Sequence, residues 1–243
     1  MKVYIENLKK FIQENSFNVI ASVAALFLVI LLLQSFSLYS MKRTFEKDNI
    51  VKSRQIQRLD AGISFEAKRM QFLIIARDSI LKKHNPELTD DEAYNMAEYT
   101  LYICEKYKID PVLFFAIARQ ESRFNTKAVS IKGASGIYQI SPLTARMLCA
   151  SLGMEYNEQM VFDLKTNMEM AGKYMSFLKA EYGKTDLILI GYNAGPSWAD
   201  WQRKDSKITL PEETRDYLIR VQAYYEEFSK LLACYLPGSV SNG

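Results

Sequence analysis

The hexapeptide RQESRF, Arg119 to Phe124, sets a carboxylate beside a small hydroxyl just where the apolar run DPVLFFAIA stops. Every residue from Val112 to Ala118 is apolar, so a helix over this stretch has no polar face and is expected to be buried on all sides. Asp110 and Pro111 mark its start, the Asp as N-cap and the Pro at the first helical position. Glu121 then falls at the C-terminal end, where the backbone carbonyls carry the negative end of the helix dipole. A Glu at a helix end is usually solvated surface. A partly desolvated one has its ionised form disfavoured by burial and by the dipole alike, so its pKa rises. A carboxyl titrating near neutrality can give a proton to a leaving oxygen and then take one back.

Such an acid needs a cleft with donors. The stretch AVSIKGASGIYQISPLTA combines two glycines, which permit sharp turns and close backbone approach, with Ser130, Ser135 and Gln139. Further on, GYNAGP, Gly191 to Pro196, ends a helical run with polar and aromatic groups on a Gly-Pro turn, and PEETRDYL opens another helix with Glu213. Each piece alone is common loop punctuation. Together they form a series of polar turns and helix ends in an otherwise apolar helical region.

The elements that must position these groups are legible from caps and periodicity. FEAKRMQFLIIARDSILKK carries Phe65, Phe72, Ile75 and Ile80 at helical spacing and ends before HNPEL. Thr89 with Glu92 makes a capping box that opens a helix to about Lys108. Ser141 and Pro142 start the helix SPLTARMLCASL. Amphipathic runs follow over about 167–182 and 185–192, then a loop containing Trp198 and Trp201, then a last helix from near Pro211 to about Tyr235. No stretch alternates with period two between hairpin turns, and there are no internal repeats. The fold class is therefore all-α.

The chain has 243 residues, 49% of them hydrophobic and 24% charged, enough for one globular domain and an extra segment. A net charge of +3, scattered among acids, gives no basic stripe and no argument for nucleic acid. Cys104, Cys149 and Cys234 are odd in number and widely spaced, and His84 is the one histidine. This excludes a small disulfide framework and most zinc sites, and leaves a Ser/His/Asp triad only if His84 serves it. His84 lies in the polar stretch KKHNPE and reads as a solvated loop residue, while Cys104 and Cys234 fall in apolar helical contexts where buried free thiols are the default.

Phe17 to Tyr39 contains no charge and, at about 1.5 Å per residue, is long enough to cross a hydrocarbon core of roughly 30 Å. Lys9 and Lys10 on one side and Lys42 and Arg43 on the other give no clean orientation. A cleaved signal would have a shorter apolar core and a clear small-residue site, so an uncleaved anchor fits better. The expected organisation is a short segment 1–16, a transmembrane helix 17–39, a stalk 40–63, a catalytic-type domain 64–236 and a tail 237–243.

The segments ARQESRFNTKAVS, GASGIYQISPLTA, FDLKTNMEMAGKYMSFL, LIGYNAGP and EETRDYLIRV resemble, in order, the successive motifs of the lytic transglycosylase catalytic domain, soluble lytic transglycosylase type, of the lysozyme-like superfamily. The resemblance runs from Asp110 to about Val221. It implies a lysozyme-like helical domain in which Glu121 is the single catalytic acid and base. By the same resemblance Ser130 sits near the reacting sugar, Gln139 hydrogen-bonds the glycan, Tyr192 and Asn193 line the catalytic centre and Glu213 closes the far wall. Ser122 and Arg215 are given supporting or packing roles. Tyr138 stands where the family commonly has methionine, Ile137 replaces a leucine, and Gly191 replaces a usual alanine; a Tyr138 facing the cleft is expected to alter sugar stacking. Asp110 and Asp163 are accounted for by capping or packing.

The family chemistry is non-hydrolytic cleavage of the β-1,4 bond between N-acetylmuramic acid and N-acetylglucosamine in peptidoglycan, closing a 1,6-anhydro ring, with no metal and no cofactor. The implied partners are glycan strands and, through the N-terminal helix, the cytoplasmic membrane, with the domain on the periplasmic or cell-wall side. Competing readings are a lysozyme-type muramidase, a catalytically lapsed glycan-binding scaffold of a secretion, conjugation or phage apparatus, and a bitopic helical interaction protein.

Overall fold

The computed structural model describes residues 1–233, with the side chains of 16–19 set aside; Cys234 and the tail 237–243 lie outside the described residues. The chain divides into two units, Met1–Phe65 and Glu66–Gly243. Helix α1 (Lys2–Ile75) runs through the first and contributes its last residues to the second. In the first unit the helix holds the one described stretch long and apolar enough to cross a membrane, with a mean hydropathy of 2.3 in its most apolar window and none of that window buried.

The described part of the second unit is built of helices joined by turns and loops; among the described residues the only β pairing is a pair of isolated bridges, Val129 with Ser135 and Ser135 with Ile140. After α1 come a π-helical turn (Ala76–Leu81) and the short α2 (Lys82–His84), then α3 (Asp90–Tyr107), α4 (Pro111–Ser122) and α5 (Pro142–Leu152). A 3-10 turn (Met160–Phe162) leads to α6 (Leu164–Tyr182), α7 (Thr185–Asn193), α8 (Pro196–Lys204) and α9 (Glu212–Leu232). Side-chain caps set the starts of α3 to α6. Thr89 accepts from the Glu92 amide in a complete capping box, Asp110 from Val112, Ser141 from Thr144 and Asp163 from Thr166. Each such cap satisfies an amide the helix itself cannot, typically worth about 1 kcal/mol.

Helix α4 lies at the centre, packed chiefly on α9 and also on α3. Val112 and the run Phe114 to Ala118 are all buried, as a segment without a polar face must be. Phe72, Leu73, Ala76 and Ile80 close the core from the α1 end and the π-turn, whereas Phe65 in the first unit is exposed. Cys104 and Cys149 are free buried thiols.

Two expectations are corrected. The segment with Trp198 and Trp201 is not a loop but helix α8: Gly195, at φ 94°, turns the chain, Pro196 takes the first helical position, and the two indoles meet edge to face at 5.0 Å. The Gly-Pro pair acts as a helix start rather than as a plain turn. His84 is not solvated either. Its side chain is 12% exposed and lies among Phe124, Tyr224 and Phe228, 3.4 Å from the Glu227 carboxylate. Burial pulls its pKa below the ordinary range, helped by nearby Arg119 and opposed by Glu227. The end of α9 near Tyr235 falls outside the described residues.

Candidate active site

The site is built on the sudden end of α4. Arg123 takes the left-handed conformation at φ 55° and caps the helix by bonding back to the Arg119 carbonyl, and Phe124 follows at φ 63°. Two successive residues with side chains in this region are costly and persist only when packing holds them. Phe124 is fully buried, ring to ring with Phe115 at 6.4 Å, and Asn85 donates to its carbonyl. The chain therefore reverses immediately after Glu121 and Ser122.

The reversal carries residues 128–141 back across the end of α4, and three helices pin them there. From α4, Ser122 Oγ donates to the Ile137 carbonyl at 2.8 Å. From α6, buried Asn167 accepts from the Tyr138 amide and donates to the carbonyls of Ser135 and Val161. From α7, Tyr192 Oη donates to the Tyr138 carbonyl at 2.9 Å. Gly136, at φ 81°, lets the backbone pass so close to Asn167 and the Val161 carbonyl that no Cβ fits.

A cavity of about 680 Å³ opens between this segment, α7 and the start of α9. Glu121, Ser130, Lys132, Gln139, Tyr174, Tyr192, Asn193 and Glu213 all line it. The structure thus brings together Glu121, Ser130, Gln139, Tyr192, Asn193 and Glu213. Ser130 Oγ accepts from the Ala134 amide, and Gln139 Nε2 donates to the Ala128 and Gly136 carbonyls, which leaves the Gln139 carbonyl oxygen as its remaining acceptor. Glu213 is solvated and faces Lys132 across the mouth at 3.7 Å.

Glu121 is the most perturbed acid of the cleft. Burial raises its pKa from the ordinary 4.5 to about 7, and the charge of Glu213 pushes in the same direction. The hydroxyl of Tyr217 works against both: it lies near enough to hold the carboxyl down, although it forms no hydrogen bond of ordinary geometry. Near neutral pH such a group populates both protonation states, the condition for an acid that must also serve as a base.

Tyr138 does not reach the cleft. It is 1% exposed, its ring stacked on Phe114 at 4.2 Å and its hydroxyl donating to the Phe114 carbonyl. With Ile137 and Tyr138 both turned into the core, Gln139, at φ 48°, is the residue presented to the cavity. Tyr138 serves the site through its main chain, which Asn167 and Tyr192 hold. Arg215 is exposed rather than packed. Sequence reasoning missed Asn167, Tyr174, Lys132 and Tyr217. Tyr217 lies four residues after Glu213, one helical turn along the same face, so the spacing held a usable signal.

Residues 98–211 match the family model of the transglycosylase SLT domain. Over this span the helical body is similar to that domain. The matched span includes Glu121, Ser130, Gln139, Tyr192 and Asn193 and stops short of Glu213, which lines the same cavity, and of Tyr217, which lies beside Glu121. A Haemophilus influenzae protein provisionally designated a soluble lytic murein transglycosylase is 29% identical over 79% of this chain and 36% of its own length. The soluble lytic murein transglycosylase of Escherichia coli K12 is 36% identical over 45% of this chain and 19% of its own length. The crystal structure of the 70 kDa soluble lytic transglycosylase of Escherichia coli superposes with a TM-score of 0.50 at 26% identity, over 58% of this chain and 26% of that one. The chain thus spans well under half the length of these relatives.

Proposed function

We propose that the chain is a membrane-anchored peptidoglycan lytic transglycosylase in which Glu121 is the single acid and base. One observation carries this reading: a carboxyl at the buried end of α4, on the wall of an open cleft, with its pKa at about 7. The protonated Glu121 gives its proton to the glycosidic oxygen as the bond to the muramic acid C1 breaks. The carbonyl oxygen of the N-acetyl group on that sugar bonds to C1 in its place. The carboxylate then takes the proton of the C6 hydroxyl, whose oxygen displaces the N-acetyl oxygen and closes the 1,6-anhydro ring. The proton count returns to its start and no water is consumed. One carboxylate is enough, unlike the pair of a standard glycosidase. Glu213, the other carboxylate lining the cleft, is solvated and faces a lysine, a poor setting for a nucleophile.

Ser130, Gln139 and Asn193 supply hydrogen-bonding groups to the glycan, Tyr192 an aromatic wall, and Glu213 the far rim. The relatives' activity on murein supports the substrate class. Residues 17–39 form the transmembrane helix and 40–63 the stalk, with 1–16 on the cytoplasmic side and the domain facing the wall; the apolar, unburied stretch of α1 supports the span, and the substrate class, which lies outside the membrane, the orientation. The test is digestion of purified sacculi with mass spectrometry of the released muropeptides. Anhydro ends are expected, and Glu121→Gln is expected to abolish them, since proton transfer of this kind contributes about 10² to 10⁴ in rate. Reducing ends in place of anhydro ends mean a muramidase, and wild-type turnover by Glu121→Gln removes the assignment altogether.

A further inference from the structure

Residues 129–135 fold back on themselves at the mouth of the cleft. Val129 and Ser135 form a bridge, and the Ser130 amide donates to the Ala134 carbonyl at 2.9 Å. The Gly133 amide donates to the Ser130 carbonyl at 2.9 Å, and the Ala134 amide to Ser130 Oγ. Gly133, at φ 79°, takes the left-handed position that closes a turn of this kind. The middle residues of the turn are Ile131 and Lys132. Its geometry asks for neither, since such positions favour Pro and small polar residues. Ile131 is fully exposed, so the fold draws nothing from burying it. Both residues nevertheless line the cleft, as does Leu143 at the start of α5, which is 80% exposed. Single exposed apolar side chains are ordinary surface, but here two share one cleft with its cation. Lys132 is the one cation among the described residues that line the cleft, whose other charged groups are Glu121 and Glu213. Its contact with Glu213 is 3.7 Å long and exposed on both sides. An ion pair of that solvated kind is weak, and an incoming carboxylate can replace it.

We propose that Ile131, Lys132 and Leu143 form a subsite for the peptide stem of the glycan strand, with Lys132 holding a free carboxylate of the stem. The proposal rests on the reading of the cleft as a peptidoglycan site. In that polymer the muramic acid carries a lactyl group and, beyond it, a short peptide that opens with a methyl-bearing residue and continues with residues that keep free carboxylates. Exposed apolar side chains beside a lone cation match both features, and a polysaccharide without stems offers no such ligand. The methyl groups cover Ile131 and Leu143, which removes apolar surface from water. Once the sugars are seated the stem is tethered to them, so its carboxylate meets Lys132 at high effective concentration. Glu213, released from Lys132, stays in water and loses little. The cleft therefore selects strands that still carry their acidic stems.

The test is binding, measured by isothermal titration on the full chain in detergent with Glu121→Gln, so that strands stay whole during the titration. Three soluble strand preparations of equal length are compared: with native stems, with the stem carboxylates converted to carboxamides, and with the stems removed by an amidase, which leaves a lactyl carboxylate on the sugar. Native stems are expected to bind about tenfold tighter than carboxamide stems, the size of one charge-assisted hydrogen bond. Adding Lys132→Gln should bring that ratio close to unity, and Lys132→Arg should keep it. Ile131→Ser should weaken both stem-bearing ligands and preserve the ratio between them. Equal binding of native and carboxamide stems overturns the proposal, as does a ratio that survives Lys132→Gln. Amidase-treated strands that bind as tightly as native ones overturn it too, because Lys132 then reads the lactyl carboxylate instead of the stem. Failure of the catalytic reading shows separately: the chain with Glu121 intact then releases no anhydro ends from native strands, while the titration ratio is read all the same.

Discussion

Replacing Glu121 by Gln should stabilise the protein, and only at high pH. Burial lifts the carboxyl from 4.5 to about 7 in the folded state. The folded chain therefore holds this proton more tightly than the unfolded chain. The stability it contributes is fully present below about 4.5, declines as pH rises, and is lost once pH has passed through about 7. At about 1.36 kcal/mol per pKa unit, the rise corresponds to a penalty of about 3 kcal/mol above neutrality, and the neutral amide of Gln avoids it. For a chain of this size each kcal/mol moves Tm by roughly 2–4 °C, so the gain of Glu121→Gln at pH 8.5 should exceed its gain at pH 4 by roughly 6–12 °C. All other titrating groups are common to both proteins and cancel in that difference. Circular dichroism melts of wild type and variant at the two pH values make the measurement. Equal shifts at pH 4 and pH 8.5 refute the buried-acid account, and with it the reason for expecting Glu121 to act as an acid at neutral pH.

The other expectations concern the groups around it. Tyr217→Phe removes the hydroxyl that holds the Glu121 pKa down, so the alkaline limb of the kcat/KM profile should move up by half to one pH unit, given about 1 kcal/mol for one hydroxyl contact; a limb that stays or falls disproves that role. Asn167→Ala strands the Tyr138 amide and the Ser135 and Val161 carbonyls, each costing about 1–3 kcal/mol when buried. It should lower Tm by more than about 6 °C and raise KM, because it frees the segment that carries Ser130 and Gln139; an unchanged KM counts against the pinning. Gly172→Ala and Gly191→Ala should diverge although both are mid-helix. A Cβ at Gly172 meets Ile103 and the Tyr107 ring, the latter at 2.7 Å, where α3 crosses α6. At Gly191 its one close contact is the end of the Leu178 side chain at 2.9 Å, with the Tyr182 ring at 3.4 Å and Ala199 at 3.6 Å; the Leu178 methyl can turn aside while the helix gains about 1 kcal/mol. Melts should show a clear loss for the first and a near-neutral result for the second; equal losses contradict the contact geometry.

The helices that carry the site were legible because their starts are written in short-range chemistry. Thr89 with Glu92, Asp110 with Pro111 and Ser141 with Pro142 each bind amides within three residues, and no tertiary context competes. Helix α8 was missed because Gly195 and Pro196 serve equally as a turn and as a helix start, and the choice is made by packing of Ala199 in the core. Tyr138 and His84 were misplaced for a shared reason. Both carry polar atoms in polar stretches, yet Tyr138 bonds to Phe114, 24 residues away, and His84 packs on Phe228, far along the chain. Partners at that separation leave no local periodic trace.

The residues that break local rules lie where the chemistry is proposed. Arg123, Phe124 and Gln139 are three of the four non-glycine residues with positive φ among the described residues, and they follow Glu121 or line its cleft. A relaxed helix end would carry the chain away from Glu121 and leave the carboxyl in water, with an ordinary pKa. Burial of Phe124 among Phe115 and His84 offsets the cost of the tight reversal. The reversal lets Ser122 hold Ile137, which turns Tyr138 inward and Gln139 toward the cavity. The packing that hides His84 and Phe124 thus also keeps Glu121 half in the interior, so loosening the α9 side of the core should lower the Glu121 pKa as well as the melting temperature.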